Sequence, residues 1–461
     1  MFDLVIRGGN VARAGMPPVA LDIAIQDGKI AAIMVPGTPA EARRLVDATG
    51  KLVMPGALDV HVHLGHGNDI SFPRAASDAA SETAAAASGG VTTIVPYILS
   101  PQEHSEIFEE VCAITEQGSH VDFGYHLIIS TEAQLARVPQ YVDELGVPSF
   151  KIFMNNRGGE GKRLGLPDID DAFLYRLAEA CAAHGGMVCP HPENIEVVHS
   201  LRDKVMAADP EGTGGLASWN ATRPPFVEAD AIQRAARLCR AAGSPIYVVH
   251  TSSGEALDAA IDARRRGVDI TIETCPHYLT HDVTWKRGVV GKINPPLREP
   301  TDREALWRGI ASGDIDTVAS DHVHRTAASK EGGIWKASPG CPGLETLLPI
   351  MLSEGHSKRG VTIERIVSML CEKPARAMGL WGRKGAIEPG FDADVVLVDL
   401  DADYVLKPAD LFSDAGYSIY EDVPLRGRVM TTFVRGVEVY RDGSIVAATQ
   451  GHGRYQRRSL R

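Results

Sequence analysis

The chain has few cysteines, few aromatics and no basic surplus, and each shortage excludes something. Its 461 residues include seven cysteines, at 112, 181, 189, 239, 275, 341 and 371. They are scattered, odd in number and form no CxxC pair, so a disulfide framework is excluded and reduced thiols of a cytoplasmic protein are expected. Lys and Arg number 47 against 59 Asp and Glu, giving a net charge of −12. An acidic chain is a poor nucleic-acid binder through a general basic field. The basic tail "GRYQRRSLR" reads as a solvated or subunit-contacting end, without chemistry. No apolar run reaches the ~18–20 residues of a membrane span. The start, "MFDLVIRGGNV", is a strand pattern and not the basic-then-apolar build of a secretory leader.

What is present is an alternation. Residues 1–55 and 383–461 read as short strands and Gly-containing turns, as in "ALDIAIQDGKIAAIM" and "GRVMTTFVRGVEVYRDG". The two ends are expected to form one small β-domain. Between them, residues 56–382 alternate apolar strands with Ala-rich helical stretches. Strands are predicted at 57–61, 91–97, 122–128, 149–153, 187–191, 246–250, 268–272 and 317–321. Helices are predicted at 77–88, 171–185 and 230–243, among others. Eight strands alternating with helices are the signature of a (β/α)8 TIM barrel.

Barrel chemistry sits at the C-terminal ends of the strands. There the sequence puts His61 and His63, Lys151, His191, His250 and Asp321. A lone histidine at a strand end is ordinarily a hydrogen-bonded structural residue, and Asp321 by itself reads equally as a loop cap. Yet His61 and His63 are two apart on a strand and share one face. Five strand ends so furnished point to metal ligation. Lys151, inside the apolar "PSFKIFMNN", is the anomaly. A lysine's free pKa of about 10.4 leaves roughly one molecule in a few thousand neutral at pH 7. Burial beside cations lowers that pKa. A neutral amine can add CO2 to become a carbamate, an anionic ligand able to bridge two metals. Without the histidines, a salt-bridged lysine would be the better reading.

The segments "PGALDVHVHLG", "SFKIFM", "HPEN", "VVHTSSG", "INPPLRE", "ASDH", "GLETLLPIM" and "CEKPARAMGLWGRKGAIEPGFDADVVLVD" resemble the cyclic-amide branch of the amidohydrolase superfamily. That branch holds hydantoinases, dihydropyrimidinases, allantoinases and dihydroorotases. The resemblance runs over essentially the whole chain. It implies a TIM barrel with a small β-sandwich made by the chain ends. It implies two divalent ions, usually zinc, with His61 and His63 on the more buried one and His191 and His250 on the more exposed one. Carboxylated Lys151 would bridge them. Asp321 would ligate the buried ion and serve as general base, then acid, toward a bridging hydroxide. The implied reaction is hydrolytic opening of a cyclic amide, imide or ureide, in a homodimer or homotetramer. A dihydroorotase- or allantoinase-like activity and a linear amide substrate stay open. A non-catalytic scaffold of this fold fits less well, because the ligand set is complete.

The chain also departs from its relatives. Dihydroorotases carry an arginine where Gly65 stands, and hydantoinases a tyrosine where Asn156 stands. An asparagine amide can still donate a hydrogen bond but reaches less far, so Asn156 is a candidate substrate contact, and either the substrate sits differently or another donor serves. Asn294 is a candidate reader of the amide ring, or equally a turn residue before two prolines. Gly340, in "KASPGCPGLET", is a candidate backbone contact. After "ASDH" comes "VHRT", without the proline of most relatives. The loop "NNRGGEGKRLG" offers Arg157 and Arg163 to an acidic substituent, or is simply a solvated, mobile lid.

Overall fold

The computed structural model describes residues 1–66, 69–158, 161 and 165–460. Apolar runs bounded by turn residues become the inner sheet. In order around it lie Ala57–His63, Val91–Ile98, His126–Ile128, Ser149–Phe153, Met187–His191, Ile246–Val248, Ile270–Thr274 and Thr317–Val318, joined by parallel pairing. Most of these strands are buried on both faces, as a sheet wrapped by helices requires. The third position is broken, with Asp122–Phe123 pairing beside Val91–Ile98. The eighth is broken as well. Thr317–Val318 pairs with the seventh strand, and after three residues His322–Val323 pairs with the first. The barrel closes through that interruption. Asp321 lies in it with φ +47, in the left-handed region.

The helices follow their local signals. Asp171–His184 begins at Asp170, whose carboxylate accepts from the Phe173 N–H, and ends at left-handed Gly185. Pro225–Ala242 carries proline in its first turn and stops at Gly243, also left-handed. The first buries Phe173, Leu174, Leu177, Ala178 and Cys181, and the second an alanine-rich face, against the barrel core.

The chain ends form a second, nine-stranded sheet. Leu52–Pro55 pairs antiparallel with Val395–Val405, which seams the N-terminal strands to Pro424–Val434 and Val437–Arg441. Its own core contains Leu4, Ile6, Ile23, Ile25, Val395 and Phe433. The expected (β/α)8 barrel with a β-sandwich from the two ends is the architecture found. Among the described residues, no helix is long and apolar enough to cross a membrane.

The basic tail is not a solvated end. Arg458 is buried, and its guanidinium donates to the Tyr125 carbonyl and to Ser149 Oγ. Tyr455 donates to the Leu145 carbonyl at 2.7 Å. The tail thus plugs the end of the barrel where the strands begin, opposite the mouth.

Candidate metal centre

A cavity of about 580 Å³ opens at the C-terminal ends of the strands. His61, His63, Lys151, His191, His250, Asp321, Asn156, Asn294 and Gly340 all line it. Residues up to 279 positions apart meet there, and the six candidate ligands among them each lie within three residues of the C-terminal end of a strand.

One group is His61, His63 and Asp321, whose donor atoms lie within 4.8 Å of one another. Asp321 Oδ1 is 3.1 Å from His61 Nε2 and 3.9 Å from His63 Nε2. His61 is turned by a buried carboxylate: its Nδ1 is 2.7 Å from Glu273 Oε1. With Nδ1–H donating to Glu273, Nε2 presents a bare lone pair toward Asp321, the second-sphere arrangement common to metal-ligating histidines. Burial and Lys151 press the His61 pKa down, but Asp321 and Glu273 outweigh them and raise it. Burial holds His63 neutral, well below the ordinary histidine value. Its Nδ1 is buried without a hydrogen-bond partner. Burial pushes the Asp321 carboxyl up, yet His61, His63 and His277 bring it below the usual carboxylate range.

The second group mirrors the first. His191 Nε2 lies 2.7 Å from Glu193 Oε2, and Arg223 donates to the same oxygen. Arg223 and His191 keep Glu193 ionised against its burial, with a pKa of about 2. His191 Nδ1 then faces His250 Nε2 at 2.9 Å. Burial first, then His191 and Lys151, depress the His250 pKa far below normal. The backbone of His250 has φ +40, and its N–H donates to Glu273 Oε1 at 2.8 Å.

Lys151 stands between the two groups. It is 1% exposed, with Nζ 3.4 Å from His61 Nε2 and 4.7 Å from the centre of the Tyr97 ring. Among the described residues it forms no ion pair within salt-bridge distance. Burial lowers its pKa to about 8, which leaves roughly a tenth of the amine neutral at pH 7. The donor set fits a pair of divalent ions. Imidazole nitrogens and a carboxylate oxygen converge, the far nitrogens of His61 and His191 are pinned by carboxylates, and a buried amine lies between.

The substrate-side candidates are more mixed. Asn156 lines the cavity, but its Nδ2 donates to the Pro167 carbonyl at 2.8 Å. Its donor thus pins the loop, while Oδ1 has no partner. Asn294 Oδ1 is buried and likewise unpartnered. Gly340 has φ +103 and donates its N–H to the Lys292 carbonyl. A Cβ there would stand 2.8 Å from Val323 Cβ, so only glycine lets this loop approach. At Gly65 a Cβ would meet the Asp69 carbonyl at 2.0 Å, which leaves no room for an arginine. Arg157 is tied to Glu196 at 2.5 Å, and Arg163 lies outside the described residues.

Sequence reasoning missed Glu273, Glu193 and His277. Each had a signal. Glu273 is a carboxylate within the buried strand "ITIET", Glu193 follows His191 by two, and His277 lies just beyond that strand, in "TCPH".

Comparison with known proteins agrees with the geometry. Residues 52–439 match the model of the amidohydrolase family. A D-hydantoinase of Rhizobium radiobacter is 34% identical, with 99% of each chain covered. An allantoinase of Rubrobacter xylanophilus is 35% identical, over 98% of this chain and 97% of its own. The solved structure of an L-hydantoinase (dihydropyrimidinase) from Arthrobacter aurescens superposes with TM-score 0.90 at 31% identity, covering 99% of both. The chain belongs to the amidohydrolase family, in the cyclic-amide branch that holds its hydantoinase and allantoinase relatives.

Proposed function

We propose that the protein is a binuclear metal-dependent hydrolase that opens a cyclic amide, imide or ureide ring, in the manner of a hydantoinase or dihydropyrimidinase. The observation that carries this is the convergence of His61, His63, Lys151, His191, His250 and Asp321 in one cavity. His61, His63 and Asp321 would hold one ion, and His191 and His250 the other. Lys151, carboxylated on Nζ by CO2, would serve both. Zinc is the ion this nitrogen-and-oxygen set favours. Bound there, such ions lower the pKa of water toward 7 and polarise a carbonyl.

The chain's own residues supply the rest. Asp321 is ionised and faces the cavity, so Oδ1 can accept the proton of the attacking water. It can then return that proton to the ring nitrogen as the C–N bond breaks. Because the leaving nitrogen of a cyclic amide stays tethered, the same carboxyl serves both directions. Glu273 and Glu193 hold His61 and His191 in one tautomer. Asn294 and the backbone around Gly340 border the space for the ring. The unpartnered Asn294 Oδ1 suits a ring N–H donor. Asn156, with its amide nitrogen on Pro167, is better suited to fixing the loop than to meeting an oxyanion.

The seven free cysteines suit a reducing cytoplasm. A homodimer or homotetramer would cover some of the exposed apolar side chains, such as Met16, Val19 and Phe226. The test is a panel of hydantoins, dihydrouracil, allantoin, dihydroorotate and cyclic imides, assayed for ring opening with zinc and bicarbonate present. Turnover of one or more members, with about two ions per chain in the cavity, is expected. Failure of every member would overturn the cyclic-amide reading.

A further inference from the structure

A second convergence of imidazole and carboxylate lies outside the cavity. The donor atoms of His66, His324 and Asp414 fall within 4.8 Å of one another. None of the three lines the cavity of the first centre. They come from three segments. His66 is in the loop after Ala57–His63, His324 follows His322–Val323, and Asp414 belongs to the stretch before Pro424–Val434.

His324 is the informative member. It is 0% exposed, and neither ring nitrogen makes a hydrogen bond. Its Nε2 nonetheless stands 2.5 Å from Asp414 Oδ1 and 3.8 Å from Glu82 Oε1. The ring of His66 meets it edge-on, with centroids 4.5 Å apart at 80°. A buried polar group without a hydrogen bond is costly unless something else satisfies it. Two imidazoles and a carboxylate around one point satisfy one another through a shared cation. A proton is the weaker solution, because it joins His324 to Asp414 but does not draw in His66, whose donor atom lies within 4.8 Å of theirs.

The surroundings suit a cation. Glu82 is wholly buried behind His324, accepts from Ser413 Oγ at 2.8 Å and faces His322 Nε2 at 3.0 Å. His66 and Asp414 are exposed, so solvent can complete the coordination. Two nitrogens, one oxygen and an open side are a donor set for zinc or a neighbouring divalent transition metal, not for calcium or magnesium, which take oxygen cages.

We propose that His66, His324 and Asp414 bind an additional divalent ion of the zinc class. Its effect is mechanical. His66 and His324 stand three residues beyond His63 and Asp321. One ion would therefore clamp the loops leaving two ligand-bearing strands to each other and to the C-terminal segment. The assignment does not rest on the hydrolase reading.

The experiment compares the wild type with Asp414→Asn and His324→Gln. Each protein is stripped, reloaded with zinc and counted by elemental analysis. Cobalt titration, followed by visible absorption, resolves the filling of each site. Both variants should hold one equivalent fewer than the wild type, and their titrations should lack one phase. Added zinc should raise the wild-type melting temperature more than that of either variant. Asp414 is exposed, so Asp414→Asn reports even if His324→Gln folds poorly. Equal zinc counts and identical cobalt titrations for the wild type and Asp414→Asn would overturn the proposal.

Discussion

Replacing Glu273 by glutamine tests whether a residue with no place in the sequence motif governs the metal centre. Glu273 accepts three buried hydrogen bonds: His61 Nδ1 at 2.7 Å and the His250 N–H at 2.8 Å on Oε1, and Tyr247 Oη at 2.8 Å on Oε2. A glutamine carbonyl placed at Oε1 keeps the first two. Its NH2 then points at Tyr247 Oη, which can turn and donate to Thr317 Oγ1, 2.7 Å away. The shape survives, and what disappears is one buried negative charge beside His61. Exchanging a charge-assisted hydrogen bond for a neutral one costs about 1–1.5 kcal/mol, or roughly tenfold. Second-sphere partners of metal-bound histidines typically account for 10–100-fold in metal affinity or activity. Glu273→Gln should therefore fold normally by circular dichroism and bind zinc about 10–100-fold more weakly in competition with a chelator. A metal affinity within about threefold of wild type would refute the reasoning. Glu273→Ala is a different experiment. It strands two buried donors, His61 Nδ1 and the His250 N–H, at about 1–3 kcal/mol each, a sum that is a large part of the stability of a typical domain. It should fail at the level of soluble protein.

Other consequences are shorter to state. Lys151→Ala should lose metal and activity together, and short-chain carboxylic acids added to the assay should restore part of both; unchanged metal content would rule out a carboxylated lysine. Asp321→Asn should lower kcat by at least about 100-fold while retaining the ions on the remaining ligands, measured by elemental analysis alongside kinetics; a near-normal kcat would remove Asp321 from proton transfer. His281 is buried, with Nε2 on the Ile419 carbonyl, and burial lowers its pKa to about 4. The unfolded chain binds that proton first, so the contribution of His281 to stability is full above about pH 6.5 and is lost as pH falls toward 4. Urea midpoints at pH 7, 6 and 5 should fall more steeply for the wild type than for His281→Asn, and parallel slopes would contradict the assignment.

The parts legible in the sequence were those written in local pattern. Alternation placed Ser149–Phe153 and Met187–His191 to the residue. A doublet such as His61–Val62–His63 declares its shared face without any partner. The parts that stayed hidden depend on neighbours distant in the chain. The apolar pattern predicts strand seven at 268–272, but it runs Ile270–Thr274, and Glu273 lies in the two residues that the pattern leaves out. Nothing in "VHTSSG" or "IETCPH" states that these segments lie side by side, so the bond from Glu273 to the His250 backbone had no local signal. The tail misled for the same reason. Arg458 looks solvated until the carbonyl of Tyr125 is set beside it.

The broken eighth strand ties fold and site together. An unbroken strand at 317–323 would continue the side-chain alternation through Asp321. The chain instead leaves the sheet at Ala319, Asp59 Oδ1 takes the Ser320 N–H at 3.1 Å, and Asp321 turns through φ +47 before pairing resumes at His322. A left-handed conformation at a residue other than glycine is uncommon and costs on the order of 1–3 kcal/mol. It recurs at His250, where Glu273 holds the backbone N–H. Both strained residues lie just past the end of a strand, both line the cavity, and a buried carboxylate anchors the backbone at or beside each. The strain is thus located where a candidate ligand would be aimed away from the direction its strand would give it. Asp59 and Glu273 are the groups that make each departure stable.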